Sequence, residues 1–254
     1  VFSAVLCLSF MSAMACFAAT SNSSTLLYKY GEKETLTKGV TYEKSSRLYK
    51  DGWVDVYILT MDMQNTNGIL DVIESTTDLG LKKTVQDFAK ENSNVIAAVN
   101  GDFFGSGNPM SSMGQVYENG KFKQTQNYYN GTENRYASFL VDGTIPFIDY
   151  VKSSLVFYGT NGQNIEIQAK NKHTDFSKAV YFDRNALTST ASIDKRVKGL
   201  YKLVVENNAV TYVSGEGETV NIPEKGYVIV MNQKTAQEKL PYFQKGQAVG
   251  FNEK

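Results

Sequence analysis

The chain contains only two cysteines and one histidine among its 254 residues. Cys7 and Cys16 both lie near the amino terminus, so the rest of the chain has no thiol for a disulfide or for cysteine chemistry. A multi-histidine zinc site and a Ser-His-Asp triad are disfavoured unless His173 serves alone. A lone histidine is more often structural than catalytic, and we expect this role for His173.

The sequence also lacks an excess of either charge. The 26 basic residues balance the 26 acidic residues, which gives a formal net charge of zero. Proteins that bind nucleic acids usually present a basic patch, and no run of Lys or Arg alternates with aromatic residues here. We therefore expect no nucleic-acid partner.

The amino-terminal stretch over residues 1–19 is uncharged, apolar apart from scattered serines, and rich in alanine at its end. This pattern is typical of a secretory signal peptide. A retained anchor is the alternative, because the run is about as long as a thin membrane span. We expect a secreted or cell-surface protein with no stable membrane span after cleavage. Residues 20–39 are polar and are predicted to be a linker, which leaves one folded domain over 40–254.

Turn signals recur between alternating apolar runs in the predicted domain. The dipeptides Asn119-Gly120, Asp142-Gly143 and Asn207-Asn208 each separate two such runs and predict β-hairpins. The 16 tyrosines and 14 phenylalanines are also typical of strands. Together these features predict an α+β fold with a strand-rich, twisted, antiparallel or mixed sheet, hairpins and few helices.

The first part of the domain has a more regular pattern. Alternating residues predict strands over 41–49, 53–63 and 68–75. Residues 84–91 predict a short helix, because Val85, Phe88 and Ala89 share one face.

The most informative stretch begins with the apolar run Val-Ile-Ala-Ala-Val over residues 95–99. So short a run predicts a buried central strand. Asn100 and Asp102 follow directly with an amide and a carboxylate. Glycines in this region permit positive φ angles and close approach of a ligand; they are Gly101, Gly105, Gly107 and Gly114. Such loops are common binding or catalytic sites, although Asn-Gly is also an ordinary turn.

The same stretch resembles the signature of a known enzyme family. Its Ala-Ala-Val-Asn-Gly-Asp-Phe-Phe sequence is followed by a Gly- and Pro-containing loop, Gly114-Gln115-Val116 and a Glu-Asn-Gly-Lys turn. This order is similar to that of the phosphodiester glycosidases, which include N-acetylglucosamine-1-phosphodiester α-N-acetylglucosaminidase and many bacterial exopolysaccharide biosynthesis proteins. Asn100 and Gly101 match the family pattern well, whereas the family also accepts Gly in place of Asp102.

The resemblance extends over residues 40–249 but is incomplete. Lys-Leu-Val-Val-Glu-Asn over 202–207 and Ile-Pro-Glu-Lys-Gly-Tyr-Val over 222–228 match further family segments. Two later segments of the family, Arg-Thr-Ala-(Ile/Val)-Gly and Leu-Asp-Gly-Gly-Gly-Ser, do not occur in this sequence. We therefore expect a domain truncated at its carboxyl end, either as the front half of a longer protein or as a form that lacks part of the site.

The resemblance implies cleavage of the bond between a sugar anomeric carbon and a phosphodiester. Positive charge then develops on the sugar and negative charge on the leaving phosphate. A carboxylate near the anomeric carbon, with amide or cationic donors to the phosphate, lowers this barrier. Phosphate is already a good leaving group, so a strong general acid is less necessary than in other glycosidases.

Candidate residues for this chemistry lie in and near the glycine-rich loop. Asp102 is the candidate catalytic carboxylate, and Asn100 is the candidate orienting group. The remaining candidates would bind substrate: the backbone N–H groups of Gly101 and Gly105, the rings of Phe103 and Phe104, and the guanidinium groups of Arg135 and Arg184. For the two phenylalanines we favour core packing over sugar stacking, and for the two arginines we favour a solvated surface position over phosphate binding.

Three functions remain open at this point. The first is a secreted hydrolase whose partner is a glycan or sugar-phosphate substrate. The second is a non-catalytic surface module that binds polysaccharide through the same loop and through exposed aromatic residues. The third is a structural domain without a site. No cofactor is evident from the sequence, and a divalent cation at the Asp102 loop is left open.

Overall fold

The computed structural model describes residues 25–72, 83–103, 112–118, 120–126 and 137–254. The predicted signal peptide lies outside these ranges, as do three candidate site residues: Phe104, Gly105 and Arg135. No helix within the described ranges is long and apolar enough to cross a membrane. The chain divides into two compact units, which are described one after the other.

The two units are formed from alternating parts of the chain. The first comprises the described residues of Val1–Asp71 with Val85–Asn100 and Val141–Pro146, and the second comprises those of Val72–Thr84, Gly101–Leu140 and Phe147–Lys254.

The first unit contains a three-stranded antiparallel sheet. Its strands follow one another in the order β1 (Tyr28–Thr37), β2 (Val40–Tyr49) and β3 (Gly52–Met61). The strands β2 and β3 confirm the predictions for 41–49 and 53–63. The helix α1 (Val85–Glu91) confirms the predicted helix, although none of its residues is buried.

Strand β1 lies inside the stretch predicted to be a linker, so the folded part begins before residue 40. The polar composition of this stretch does not prevent pairing, because strands are held by backbone hydrogen bonds and only one face needs apolar contacts. Such contacts come from Tyr28 and Tyr30, whose ring centroids lie 6.2 and 6.1 Å from that of Trp53 in β3.

The predicted central strand over residues 95–99 is not present. These residues form no strand, and Ile96 and Val99 are 54% and 51% exposed. An apolar run becomes a central strand only where neighbouring strands pair with it on both sides. No strand of the described ranges does so here. Residues 68–72 also form no strand, and the rest of the strand predicted over 68–75 lies outside the described residues.

Two hairpins precede the seven-stranded sheet in sequence. They are β4 (Val116–Glu118) with β5 (Lys121–Gln124), and β6 (Ala137–Asp142) with β7 (Ile145–Tyr150). Their turns contain Gly120 and Gly143, which have φ angles of +78° and +60°. Both hairpins confirm the turn-based predictions.

The main sheet of the second unit has seven strands in the order β12-β11-β13-β10-β9-β8-β14. They are β8 (Leu155–Gly159), β9 (Asn164–Lys170), β10 (Ala179–Asp183), β11 (Tyr201–Glu206), β12 (Ala209–Val213), β13 (Gly226–Met231) and β14 (Val249–Glu253). Only β9 and β10 pair in parallel, so the sheet is mixed.

The sheet curls until its two edge strands meet. Ala209 of β12 forms an antiparallel bridge with Ala248, and the Val249 N–H donates to the Asn208 carbonyl at 2.9 Å. Asn207 and Asn208 have φ angles of 50° and 59°, as the two central residues of a type I′ turn require. This turn confirms the third predicted hairpin.

Two apolar layers line the opposite faces of the curled sheet, because successive side chains of a strand point to opposite sides. Tyr181 belongs to the inner layer, to which all seven strands contribute. Its neighbours Val180 and Phe182 belong to the outer layer with Ile193 of the helix α2 (Ala191–Arg196). A third helix, α3, spans Gln233–Lys239. The described part of the chain is therefore rich in strands and has few helices, as predicted.

Candidate functional site

The Asp102 carboxylate is fixed by two backbone N–H groups. Its Oδ1 atom accepts a hydrogen bond from Phe103 at 2.7 Å, and its Oδ2 atom accepts one from Gly114 at 2.6 Å. The Phe103 carbonyl also accepts a hydrogen bond from the Met113 N–H at 2.8 Å. These bonds join the segments on either side of residues 104–111, and they set the orientation of the carboxylate.

Gly114 lets the Asp102 carboxylate approach closely because it has no side chain. A Cβ atom at this position would lie 3.0 Å from Oδ2 of Asp102, so the carboxylate would have to move by a few tenths of an ångström. Neither Gly101 nor Gly114 has a positive φ, so the predicted conformational role of these glycines is wrong at both positions. We expected these glycines to let a ligand approach the backbone closely. At Gly114 the group that approaches closely is the Asp102 side chain.

A buried lysine binds the other side of the Gly114 backbone. The Lys172 side chain is fully buried, and its Nζ atom donates to the carbonyl and to the hydroxyl of Ser112 and to the Gly114 carbonyl. An ammonium group has three donors, and these bonds use all of them. Gly114 therefore donates to Asp102 and accepts from Lys172, so the two charged side chains hold opposite polar groups of one residue.

The position of Lys172 is set by the preceding residue. Asn171 is fully buried with a φ of +54°, a conformation that asparagine adopts more readily than most residues. Its Nδ2 atom donates to Oδ1 of Asp183 and to the Lys123 carbonyl, both at 2.8 Å, and its Oδ1 atom accepts from the Asp183 N–H at 3.0 Å. The end of β9 is therefore tied to both β10 and β5.

Gln115, which directly follows Gly114, has a side-chain acceptor without a hydrogen-bond partner among the described residues. Gln115 donates from Nε2 to the Ser138 hydroxyl at 3.1 Å, whereas its buried Oε1 atom has no hydrogen-bond partner among the described residues. A buried carbonyl without a partner is unfavourable, because it has lost its hydrogen bonds to water. The adjacent Ser112 hydroxyl is held by Gln124, to whose Oε1 atom it donates at 3.1 Å.

The predicted site residues are only partly brought together. Asp102 and Phe103 are joined to Gly114 by the hydrogen bonds of the Asp102 carboxylate. Asn100 and Gly101 are exposed, and Asn100 is part of the first unit. The prediction of core packing is wrong for Phe103, which is 80% exposed. Its backbone is held by hydrogen bonds to Asp102 and Met113, while its ring lies in solvent. Arg184 donates from Nε to the Ile222 carbonyl at 2.6 Å, and its predicted contact with phosphate stays a prediction.

Sequence reasoning missed Ser112, Lys172 and the Gln115 acceptor. Lysine is normally a surface residue, and nothing in the Lys-Asn-Lys-His sequence over residues 170–173 distinguishes a buried lysine from an exposed one. The nearest local signal is Asn171, since asparagine adopts a positive φ more readily than most residues and this one turns the chain directly before Lys172.

The single histidine packs against the outer apolar layer. The His173 ring makes an edge contact with Phe176 at a centroid distance of 5.6 Å, and its buried Nε2 atom has no hydrogen-bond partner within the described part of the chain. Burial, and to a smaller extent the charge of Arg196, lowers the pKa of His173 from 6.5 to about 4. The ring is therefore neutral at neutral pH, which suits a packing role.

This pKa shift predicts a loss of stability in acid. The unfolded chain takes up a proton at His173 near pH 6.5, whereas the folded chain does so only near pH 4, so protonation favours unfolding between these values. The contribution of neutral His173 is complete above pH 6.5 and is lost as the pH falls towards 4. We expect His173→Phe to reduce the fall in unfolding free energy over this range, measured by urea denaturation. Equal pH dependence in both proteins would contradict the assignment.

No group of three or more His, Cys, Asp or Glu residues that could hold a metal ion occurs within the ranges that the structure describes. The divalent cation at the Asp102 loop stays a prediction, because residues 104–111 lie outside those ranges.

Two solved structures share the fold of this chain. One is a hypothetical protein from Synechocystis, with a TM-score of 0.68 and 16% identity over 85% of this chain. The other, from Burkholderia pseudomallei K96243, bears the name "Putative exported protein" and gives a TM-score of 0.70 with 14% identity over 89% of this chain. The matched regions cover 39% and 68% of those proteins. At these identities the likeness concerns the fold alone.

No protein-family model matches the chain, and the comparison with curated proteins found no match.

Proposed function

We propose that this protein is a secreted phosphodiester glycosidase that cleaves the bond between a sugar anomeric carbon and a phosphodiester in extracellular or cell-surface glycans. The proposed class of substrate is an N-acetylglucosamine-1-phosphodiester. The proposed family rests on the motif around Asn100, Gly101 and Asp102. We also propose that the strand-rich fold belongs to the α+β class.

The observation that carries the proposal is the fixed carboxylate of Asp102. A carboxylate that stabilises positive charge at an anomeric carbon must be held in place before the charge develops. The N–H groups of Phe103 and Gly114 hold it at 2.7 and 2.6 Å, and the buried Lys172 holds the Gly114 carbonyl from the other side. The reaction therefore needs no reorganisation of this group.

The surroundings of Asp102 suit a sugar substrate. The exposed ring of Phe103 offers an apolar surface to a sugar face. In the proposed reaction the C1–O bond breaks and a phosphomonoester leaves with the bonding electron pair. Water adds to the anomeric carbon and loses its proton to solvent, which gives the free sugar. Asp102 stabilises the sugar cation in this step.

Sugar release from a synthetic N-acetylglucosamine-1-phosphodiester by the full-length gene product tests this proposal. We expect Asp102→Asn to lower the rate at least about a hundredfold, because the amide cannot supply the negative charge. Asp149→Asn is a matched control, since Asp149 also accepts the N–H of the following residue, Tyr150, at 2.7 Å. No sugar release by the unaltered protein, or an equal rate in both variants, would contradict the proposal.

A non-catalytic polysaccharide-binding module of the cell surface is the second candidate. The 80% exposure of the Phe103 ring favours it, because a stacking surface for sugars does not require a reactive carboxylate. In that case the unaltered protein would bind glycan and release no sugar. Both candidates take a glycan partner, and both place the protein outside the cytoplasm.

A further inference from the structure

One face of the three-stranded sheet in the first unit carries an exposed aromatic cluster. The register pairs Tyr28 with Leu48 and Leu48 with Trp53, and it places Tyr30 one row further along the same face. The three aromatic side chains are 56%, 57% and 58% exposed for Tyr28, Tyr30 and Trp53 respectively. We refer to these three residues as the aromatic platform.

The platform rings contact one another across the sheet. The Trp53 centroid lies 6.2 Å from that of Tyr28 and 6.1 Å from that of Tyr30, and the two tyrosine centroids lie 6.1 Å apart. The two strands that carry the rings are separated by β2, so the rings meet above Leu48. Each ring is thus positioned by its neighbours while about half of its surface remains in solvent.

Charged side chains on this face follow the platform in the register. Glu32, Glu34 and Asp55 lie on it together with one basic residue, Lys44. Three carboxylates against one ammonium make this face acidic. Asp55 is held by the Ser46 hydroxyl, which donates to its Oδ1 atom at 2.5 Å and leaves the other carboxylate oxygen as an acceptor.

The acidic charge disfavours anionic partners. Nucleic acids, phosphate-rich polymers and membrane surfaces are negatively charged and would be repelled by this face. A neutral glycan is not repelled, and its hydroxyl groups are donors that match the carboxylate acceptors.

The size of the platform also disfavours a stable protein partner. Three half-exposed aromatic rings offer about 300 Å² of surface. A stable protein interface buries about 800 Å² on each partner. The platform is therefore suited to one or two sugar rings, whose C–H faces stack on aromatic surfaces.

We infer that the aromatic platform formed by Tyr28, Tyr30 and Trp53 is a binding surface for an uncharged polysaccharide of neutral or N-acetylated sugars. This surface lies in the first unit, whereas Asp102 and Gly114 lie in the second. The inference does not require phosphodiester cleavage, because stacking and hydrogen bonding alone hold the chain of sugars.

Co-sedimentation of the protein with insoluble chitin and cellulose tests the inference. We expect Trp53→Ala to weaken adsorption about tenfold, as the loss of a central aromatic contact typically does, and Trp53→Phe to keep most of it. Tyr150→Ala is the matched control, since Tyr150 is 64% exposed on β7 and lies outside the platform. Circular dichroism and thermal unfolding establish that each variant is folded.

Three results would overturn the inference. They are no adsorption by the unaltered protein, equal adsorption by Trp53→Ala, and a dimer in solution that Trp53→Ala converts to a monomer. Adsorption involves no turnover, so its failure and the failure of the proposed reaction are separate results.

Discussion

Replacing Lys172 with Met is expected to lower the free energy of unfolding by about 3 kcal/mol. The methionine keeps the apolar part of the side chain but leaves the Ser112 and Gly114 carbonyls without their buried donor. Each acceptor that loses its donor in a partly buried place costs about 1–3 kcal/mol. Chemical denaturation, followed by circular dichroism, measures the change.

The same substitution should also make the position of the Asp102 carboxylate less well fixed. Gly114 loses one of the two groups that hold its backbone, so we expect the rate of sugar release to fall even at temperatures where the variant is folded. Lys178→Met is the control, because Lys178 forms an exposed ion pair with Glu166 that should contribute less than about 1 kcal/mol. Equal stability of the two variants would contradict the role assigned to Lys172.

Replacing Asp194 with Ala is expected to destabilise the protein by about 3–5 kcal/mol. Asp194 forms an ion pair with Lys202, whose side chain is fully buried beneath α2. Its Oδ2 atom also accepts hydrogen bonds from the hydroxyls of Thr190 and Thr219 at 2.7 and 2.9 Å. The single substitution therefore leaves a buried cation without its counterion and two hydroxyls without their acceptor.

A double variant separates the charge effect from simple loss of contacts. Asp194→Leu combined with Lys202→Met removes both charges and should cost less than Asp194→Ala alone, because no uncompensated ion stays in the interior. Urea denaturation of the three proteins measures the difference. If the double variant were less stable than Asp194→Ala, the ion pair would not be the dominant interaction.

Local turn chemistry made several elements predictable from the sequence. The Asn207-Asn208 turn fixes both φ angles of its hairpin, and Gly143 supplies the positive φ of another. These signals depend on residues that are neighbours in the chain. The strand-rich composition was likewise sufficient to predict few helices.

Features that depend on distant partners were not predictable. Residues 95–99 have the composition of a central strand but no strand partner in the described structure. Strand β1 has the composition of a linker but pairs with β2 over most of its length. Pairing is decided by which segments meet in the fold, and a local pattern does not contain this information.

The candidate site was predictable only in its exposed part. Asp102 was found from its glycine-rich sequence, because a carboxylate on such a loop is a local signal. Lys172 was missed because its burial results from strands β5, β9 and β10 meeting about Asn171. The tight contact at Gly114 depends on the Asp102 carboxylate twelve residues earlier in the chain, so no local pattern indicates it.

We expect a sugar phosphate to bind at the Asp102 carboxylate, which the N–H groups of Phe103 and Gly114 hold in place. An amide NMR titration of isotope-labelled protein with N-acetylglucosamine 1-phosphate tests it most directly. We predict that the amide resonances of Phe103 and Gly114 shift on binding, while that of Tyr150, whose N–H is bound by Asp149 in the same way, does not. Shifts of Phe103 and Gly114 no larger than that of Tyr150 would contradict the account.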